Sequence, residues 1–319
     1  MQSDDVDVVV IGGGAAGLNA ALMLARSRRS VIVVDAGDPR NAPADAVHGL
    51  LGREGVPPRE LVAQGRREVS GYGGRIVDGR VAALSGDVAS GFRAHLEDGS
   101  TVDARRVLIA TGLTDVLPPV PGMDALWGID VLHCPYCHGW EVRDKAIGIV
   151  ASGPASVHHA LLFRQLSDDV VYFVQDTALD AEAREQFAAR DIGVVEGAVH
   201  ALETTGGRLS GVRLDDGTVI ARDAVAVAPR MEARVEFAAG IGLTATDHPM
   251  GVGTHVAVTQ TGATDVPGVW VAGNAGDLMA QVGASAAQGA LAGAHVNADL
   301  VAEDTASAVA ARRQDAVVS

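Results

Sequence analysis

The pattern of hydrophobic and polar positions predicts a chain of alternating strands and helices. Residues 6–11 form a mostly β-branched run with one polar residue, Asp7, and such a run is typical of a strand buried on both faces. A helical pattern follows over residues 18–26, and a second apolar strand follows over residues 31–34. Three stretches of alternating polarity then predict an antiparallel insert that returns to the sheet, at residues 75–84, 92–96 and 102–110. This order of elements is typical of an α/β fold.

The turn between the first strand and the first helix is rich in glycine. Within residues 12–17, Gly12, Gly14 and Gly17 would let the backbone approach a pyrophosphate at the helix N-terminus. Asp35 ends the second strand, where an acid can hold a ribose hydroxyl. The order of strand, glycine turn, helix, strand and acid predicts a dinucleotide site. It does not distinguish FAD from a nicotinamide.

A second copy of this organisation follows. Two pairs of segments align, residues 10–14 with 149–153 and residues 96–99 with 214–217. We therefore expect two Rossmann-like dinucleotide-binding domains, each with a small antiparallel β insert. The first domain would be discontinuous, with residues 1–117 and 247–319. The second, of NAD(P)H type, would span residues 118–246.

The C-terminal part returns to the pattern of the first domain. A strand over residues 269–272 runs into Gly273, and a small-residue helix follows over residues 281–298. Because its side chains are small, the N-terminus of such a helix can lie in close contact with a flat ring. Residues 303–319 are polar and alanine-rich, which predicts a frayed tail.

The second copy lacks groups that a nucleotide needs. Gly12, Gly17 and Asp35 align with Ala151, Ser156 and Val174, and Pro154 removes a backbone N–H from the turn. A pyrophosphate needs close backbone approach and free amides. The second domain is therefore expected to keep its fold while its affinity for NAD(P)H is weakened or lost. A divergent but working NAD(P)H site is the alternative.

Composition narrows the classes of function. The chain has 319 residues, 48 % of them hydrophobic, with 39 glycines and 3 % aromatic residues, which suits a two-domain α/β protein with tight nucleotide loops. Its formal net charge of −15 argues against nucleic-acid and membrane partners. The apolar stretch at residues 8–25 contains several glycines and Asn19 and follows acidic residues, so it fits neither an export signal nor an anchor. A cytoplasmic location is expected.

The two cysteines of the chain lie in one Cys-x-x-Cys, Cys134 and Cys137, with His133 and His138 on either side. Attachment of c-type haem would need export. A zinc site would usually need a second ligand pair from elsewhere. Two buried cysteines could also serve as small hydrophobic residues. We prefer a redox-active dithiol, because cytosolic cysteine pairs tend to be catalytic and one helical turn brings these sulfurs within bonding distance. His48, His158 and His159 are expected at the surface.

Over nearly its full length the sequence resembles the low-molecular-weight thioredoxin reductase family. The matching features are residues 12–17, residues 110–112, the Cys-x-x-Cys, Gly273-Asn274 and Gln281-Val282. Within that group, residues 134–141 look most like the dithiol oxidases that close disulfides in natural products such as gliotoxin and holomycin.

The resemblance implies a homodimer with FAD in the first domain. The residues implied for FAD are Gly12, Gly14, Ala15, Ala16, Gly17, Asp35, Asn41, Ala110, Thr111, Gly112, Gly273, Asn274, Gln281 and Val282. Family pattern places Cys137 against the flavin and lets Cys134 exchange with substrate. Where the family carries an acid after the second cysteine, this chain has His138, which moves the acid/base role to an imidazole. Asn274 stands where the family has aspartate, and this leaves the ribityl contact open.

The function expected from these features is an FAD-dependent dithiol oxidase. A small-molecule dithiol would exchange with the Cys134–Cys137 disulfide while His138 takes the proton. Cys137 would pass the electrons to FAD, and oxygen would accept them. The alternative is an NAD(P)H-dependent thioredoxin or disulfide reductase that runs the same relay backwards. A third hypothesis is a flavin-bearing redox sensor that binds a partner.

Overall fold

The computed structural model describes residues 4–153, 155–176 and 178–318. Its strands are β1 (Asp4–Ile11), β2 (Val31–Asp35), β3 (Arg75–Asp78), β4 (Val81–Asp87), β5 (Gly91–Leu96), β6 (Thr101–Ile109), β7 (Leu113–Val116), β8 (Val131–Leu132), β9 (Ile147–Val150), β10 (Val170–Phe173), β11 (Gly193–Val195), β12 (Val199–Thr205), β13 (Arg208–Leu214), β14 (Val219–Ile220), β15 (Ala224–Val227), β16 (Arg230–Ala233), β17 (Thr246–Asp247), β18 (Gly253–His255) and β19 (Val269–Val271). Its α-helices are α1 (Ala15–Arg26), α2 (Pro58–Gly71), α3 (Met123–Leu126), α4 (Pro135–His138), α5 (Ala155–Phe163), α6 (Ala181–Ala189) and α7 (Val282–Val318). Short 3₁₀ turns lie at Trp140–Val142, Glu236–Ile241 and Gly273–Ala275.

The chain divides into two compact units. The first contains the described parts of Met1–Arg40, Pro58–Thr114 and Glu232–Ser319, and the second contains Asn41–Pro57 and the described parts of Asp115–Met231. This division differs from the predicted boundaries in three places. Residues 115–117, predicted for the first domain, group with the second unit. Residues 232–246 belong to the first unit, because Val235, Ala238 and Leu243 are buried in its hydrophobic core. The loop Asn41–Pro57 groups with the second unit.

The first unit is built on a seven-stranded sheet. Strands β3, β2, β1, β6 and β19 are parallel neighbours in that order. All five residues of β2 are buried, as its apolar run predicts for a strand covered on both faces. Strands β4, β5 and β6 form the predicted antiparallel insert. Residues 75–84 contain two strands rather than one, since β3 pairs in parallel with β2.

Helix α7 is longer than the sequence pattern predicts and packs closely on α1. A Cβ added at Gly289 would lie 2.0 Å from the carbonyl oxygen of Ala16, so glycine allows the two backbones to approach. The predicted frayed tail is wrong, because the 37-residue helix continues to Val318. Side chains of the sheet hold this extension: Arg106, buried, binds Asp299 and Glu303.

The second unit repeats the strand order of the first. Its five-stranded sheet runs β11-β10-β9-β15-β8, with every pairing parallel, beside an antiparallel sheet of β12, β13 and β14. The place that β19 occupies in the first unit is taken here by β8. The prediction of two Rossmann-like folds, each with an antiparallel insert, is confirmed. In the part of the chain that the structure describes, no helix combines the length and apolar character needed to cross a membrane.

Candidate redox and dinucleotide sites

The glycine turn after β1 has no room for side chains at two positions. Gly12 has a φ of +105°, and a Cβ there would lie 2.4 Å from the carbonyl oxygen of Ala110. A Cβ at Gly17 would lie 1.9 Å from the oxygen of Gly12. Gly14 is the N-cap of α1, whose first turn begins with Ala15 and Ala16. The turn is therefore lined by backbone, which is the surface that a dinucleotide pyrophosphate needs.

Asp35 lies at the carboxyl end of β2, beside this turn, and is 8 % exposed. Its Oδ1 accepts hydrogen bonds from the backbone N–H groups of Gly13, at 3.1 Å, and Gly37, at 3.2 Å. Its Oδ2 accepts one from Arg66 at 3.1 Å. These contacts fix the carboxylate next to the glycine turn. That Asp35 binds a ribose hydroxyl stays a prediction.

Residues 110–112 close the other side of the turn. The N–H of Ala110 donates to the carbonyl of Ile11 at 2.7 Å. Thr111 Oγ1 donates to the carbonyl of Arg234 at 2.6 Å, and Gly112 has a φ of +70°. The structure thus brings this predicted segment against the end of β1.

The segment between β19 and α7 is held by side-chain amides. Gly273, with a φ of +73°, donates its N–H to Gln288 at 3.1 Å. Asn274 Nδ2 donates to the carbonyls of Asp277, at 3.0 Å, and Ala280, at 2.9 Å. An aspartate side chain has no N–H and could not make these two bonds. Gln281 is exposed and Val282 begins α7.

The first unit therefore gathers most of the predicted dinucleotide residues around one turn. A Cβ at Gly273 would lie 2.9 Å from Ala16 Cβ, and Asn19 donates to the carbonyl of Ala286 at 3.0 Å. These contacts bring the start of α7 next to the start of α1. Asn41, predicted for the same site, lies in the segment that groups with the second unit.

The two cysteines lie at the carboxyl end of β8 and form a disulfide across α4. Their Cα atoms are 5.2 Å apart. Cys134 is the N-cap of α4, and its sulfur accepts the N–H of Cys137 at 3.1 Å. Pro135 occupies the first helical position, where its missing N–H costs nothing. The spacing of the pair thus places both sulfurs on one helical turn, as a redox-active dithiol requires.

His138 follows the second cysteine and is half-buried. Its Nε2 is shielded from solvent and has no hydrogen-bond partner among the described residues. Burial lowers the pKa of His138, and the charge of Glu141 partly opposes that shift. The ring is therefore neutral at neutral pH and can accept a proton.

His48, expected as a solvated loop residue, is instead paired with two carboxylates. Its Nδ1 lies 2.5 Å from Glu54, and its Nε2 lies 3.4 Å from Glu141, three residues after His138. The hydrogen bond from His48 is the main cause that lowers the pKa of Glu54. No local sequence pattern indicates this contact, because the loop and the redox segment are far apart along the chain.

His158 and His159 differ although they are neighbours on α5. His158 is exposed, as expected. The same expectation is wrong for His159, which is 7 % exposed. Its Nε2 forms a hydrogen bond with the carbonyl of His133, the residue before Cys134. A helix of nine residues with little amphipathic pattern left the sequence without a signal for which histidine faces inward.

The turn after β9 corresponds to the glycine turn of the first unit, and its polar groups are satisfied internally. Ser156 is fully buried, and its hydroxyl accepts the N–H of Ser152 at 3.0 Å. Ala151 is not among the described residues with positive φ, unlike Gly12. Val174 is buried, and Gln175 accepts the N–H of Val199 at 3.0 Å. Pro154, predicted to oppose phosphate binding, lies outside the described residues.

Comparison with known proteins gives consistent matches. The family model for pyridine nucleotide-disulphide oxidoreductases matches residues 6–292. The thioredoxin reductase tcpT of Claviceps purpurea (strain 20.1) is 31 % identical over 318 residues, which cover 94 % of this chain and 96 % of tcpT. The crystal structure of HlmI is 44 % identical, with a TM-score of 0.91 and 97 % of each chain covered. An oxidoreductase from Agrobacterium tumefaciens is 32 % identical, with a TM-score of 0.87, over 93 % of this chain and 99 % of that one.

Proposed function

Because the chain belongs to the pyridine nucleotide-disulphide oxidoreductase family, we propose that it is an FAD-dependent dithiol oxidase. Its substrate is a small-molecule dithiol of natural-product type, which it closes to an intramolecular disulfide, and oxygen accepts the electrons. One contrast supports this choice over a reductase. In the first unit the carboxylate of Asp35 stands at the end of β2 beside the turn, whereas the corresponding residue of the second unit is Val174, which is buried and offers no acceptor for a ribose hydroxyl.

FAD fits the turn of the first unit. A Cβ at Gly14, the N-cap of α1, would meet nothing within 4 Å, so the N-terminus of this helix has open space in which a pyrophosphate can approach the backbone. Gly12 to Gly17 would hold the pyrophosphate, and Asp35 would hold the adenosine ribose. When bound there, FAD supplies a two-electron acceptor for the reduced cysteine pair.

The cysteine pair performs the thiol exchange. A substrate thiolate attacks the sulfur of Cys134, so a mixed disulfide forms there and Cys137 leaves as a thiolate. The second substrate thiolate then attacks the substrate sulfur of the mixed disulfide and releases Cys134 as a thiolate. The substrate loses two electrons and two protons, and the enzyme disulfide gains two electrons.

His138 is the base for this exchange. Its neutral ring follows from burial, and its Nε2 has no partner among the described residues that would compete for a proton. It takes a proton from a substrate thiol, since the thiolate is the nucleophile. The charge of Glu141 favours the imidazolium that results.

The test is rapid mixing of the oxidised, FAD-loaded protein with each reductant in the absence of oxygen. A small dithiol should bleach the flavin absorbance, and air should restore it with formation of peroxide. NADPH and NADH should bleach it slowly or not at all. Rapid, saturable bleaching at micromolar NADPH or NADH would exclude the oxidase assignment.

The second candidate is an NAD(P)H-dependent disulfide reductase. The similarity to a protein named thioredoxin reductase favours it. In that case the second unit would bind the nicotinamide despite Ala151, Ser156 and Val174, and the electrons would run from FAD to the cysteine pair. The same rapid-mixing experiment separates the two candidates.

A further inference from the structure

The residue before the first cysteine is held at both its ring and its carbonyl. Strand β8 ends at Leu132, which pairs with Ala226 of β15. His133 Nδ1 lies 3.3 Å from the carbonyl of Val227, and the His133 carbonyl bonds with Nε2 of His159. The chain therefore enters the redox turn through a residue whose ring contacts β15 and whose carbonyl contacts His159.

This bonding pattern determines the protonation of His159. A carbonyl oxygen can only accept, so Nε2 of His159 carries the proton. Its Nδ1 is buried and has no partner in the part of the chain that the structure describes. Burial is the main cause that lowers the pKa of His159 to about 4, so the ring is neutral at neutral pH. A second proton would place an unpaired N–H and a charge in the interior.

We propose, on the basis of the thiol exchange proposed above, that His159 is a positioning residue for the redox pair. It orients the peptide group between His133 and Cys134 and thereby the sulfur of Cys134. The peptide is planar, so a fixed carbonyl also fixes the nitrogen of Cys134. That geometry places the Cys134 sulfur 3.1 Å from the N–H of Cys137. In the reduced protein this N–H stabilises the Cys134 thiolate.

Loss of the imidazole donor changes the chemistry of the pair in a defined direction. The His133 carbonyl would lose its buried partner, and its peptide would rotate toward another donor. The Cys134 sulfur would then move away from the Cys137 N–H, and the thiolate would lose stabilisation. The pKa of the Cys134 thiol rises as a result. The reduced pair becomes less favoured, so the disulfide becomes a weaker oxidant.

The experiment measures the equilibrium of the pair with glutathione in the full-length, FAD-loaded protein without oxygen. Thiols are trapped and counted at a series of glutathione ratios. His159→Phe keeps a ring against Phe163, whose centroid lies 4.9 Å away, and removes both nitrogens. We expect its equilibrium constant to shift about tenfold toward the disulfide, which corresponds to about 30 mV. His159→Leu repeats the measurement with a smaller side chain.

Two variants serve as controls. In His159→Gln the amide nitrogen can donate from the place of Nε2, so this variant should lie closer to the wild type than His159→Phe does. His158→Leu changes the exposed neighbour on the same helix and should leave the constant unchanged. Equal constants in His159→Phe, His159→Leu and the wild type would overturn the positioning role.

A second measurement separates positioning from simple loss of stability. In a Cys137→Ser background, the pH dependence of Cys134 alkylation reports the thiol directly. The added His159→Phe change should move the midpoint to higher pH, whereas a purely structural role would lower Tm and leave the midpoint in place. If glutathione cannot reduce the disulfide of the wild type, the proposed thiol exchange is contradicted. The positioning role of His159 would then be contradicted as well.

Discussion

The two units share one strand order and differ in what stands at the carboxyl ends of their strands. In the first unit a glycine turn follows β1, and Gly273 follows β19. In the second unit Ala151 follows β9, and the cysteine pair follows β8, which occupies the place of β19. One frame thus provides a backbone-lined turn in one copy and reactive side chains in the other.

The turn of the second unit is also closed by its own hydrogen bonds. Ser152 donates its N–H to Ser156 and its hydroxyl to the carbonyl of Ala228, at 2.7 Å. In the first unit the corresponding N–H of Gly13 is also bound, but its acceptor is the carboxylate of Asp35, at 3.1 Å. The two turns therefore differ in the group that accepts this N–H: a carboxylate at the end of the second strand in one, and a hydroxyl of the helix in the other.

The largest effect should come from the cysteines, which set the second unit apart. Cys134→Ser and Cys137→Ser should both reduce dithiol turnover to background, because neither can form the disulfide. They should differ in absorbance. If Cys137 is the cysteine at the flavin, as the resemblance implies, Cys134→Ser should show a long-wavelength band that Cys137→Ser lacks. Bands of equal strength would contradict the assigned roles of the two sulfurs.

The next effect tests the glycine turn against its counterpart. Gly12→Ala forces alanine to a φ of +105° with its Cβ 2.4 Å from a backbone oxygen, and should cost about 3 kcal/mol or more. The matched change Ala151→Gly should cost about 1 kcal/mol or less. Thermal unfolding and the fraction of retained FAD measure both. Similar losses of stability and of FAD in the two variants would contradict the proposed difference between the two turns.

His138→Gln should slow thiol exchange about a hundredfold, because a general base is lost. Burial lowers the pKa of His138, so the neutral base is present above that lowered pKa and is lost as pH falls through it. The wild-type rate should therefore fall on the acid side at a pH below the ordinary histidine value. The variant should lack this acid limb, as a pH series of anaerobic flavin bleaching would show. An unchanged acid limb in the variant would assign the titration to another group.

The smallest effect should come from Ser156→Ala, which removes the acceptor of the Ser152 N–H. We expect a loss of about 1 kcal/mol in the free energy of unfolding, measured with urea. Ser70→Ala, at an exposed position of α2, is the control and should stay within about 0.5 kcal/mol. NADPH binding should not return in Ser156→Ala, since Ala151 and Val174 remain. Its return would show that Ser156 alone closes the turn.

The sequence predicts the parts of this protein that depend on local chemistry. Buried β-branched runs identify the parallel strands, and the glycine turn with Asp35 predicts where a dinucleotide would bind. The internal alignment predicts the second unit. Each signal lies within a few residues, or repeats, so tertiary packing does not override it.

What the sequence did not predict depends on partners far along the chain. Residues 303–318 are polar and alanine-rich, yet they continue α7, and Arg105 and Arg106 bind Asp304 and Glu303 at the start of this stretch. His159 is buried because its donor meets the carbonyl of His133. The loop Asn41–Pro57 groups with the second unit although it lies between two segments of the first. No local pattern reports such pairings.

The place of β19 and α7 at the end of the chain has a consequence for synthesis. Strands β1 to β6 leave the ribosome first, but their sheet lacks β19 and the face of α1 lacks its cover. The uninterrupted segment Asp115–Met231 emerges before those parts and can complete its own sheet. We therefore expect the second unit to fold before the first unit during translation. Until Gly289 and Gly293 arrive, the face of α1 around Ala16 and Ala20 stays open to a chaperone.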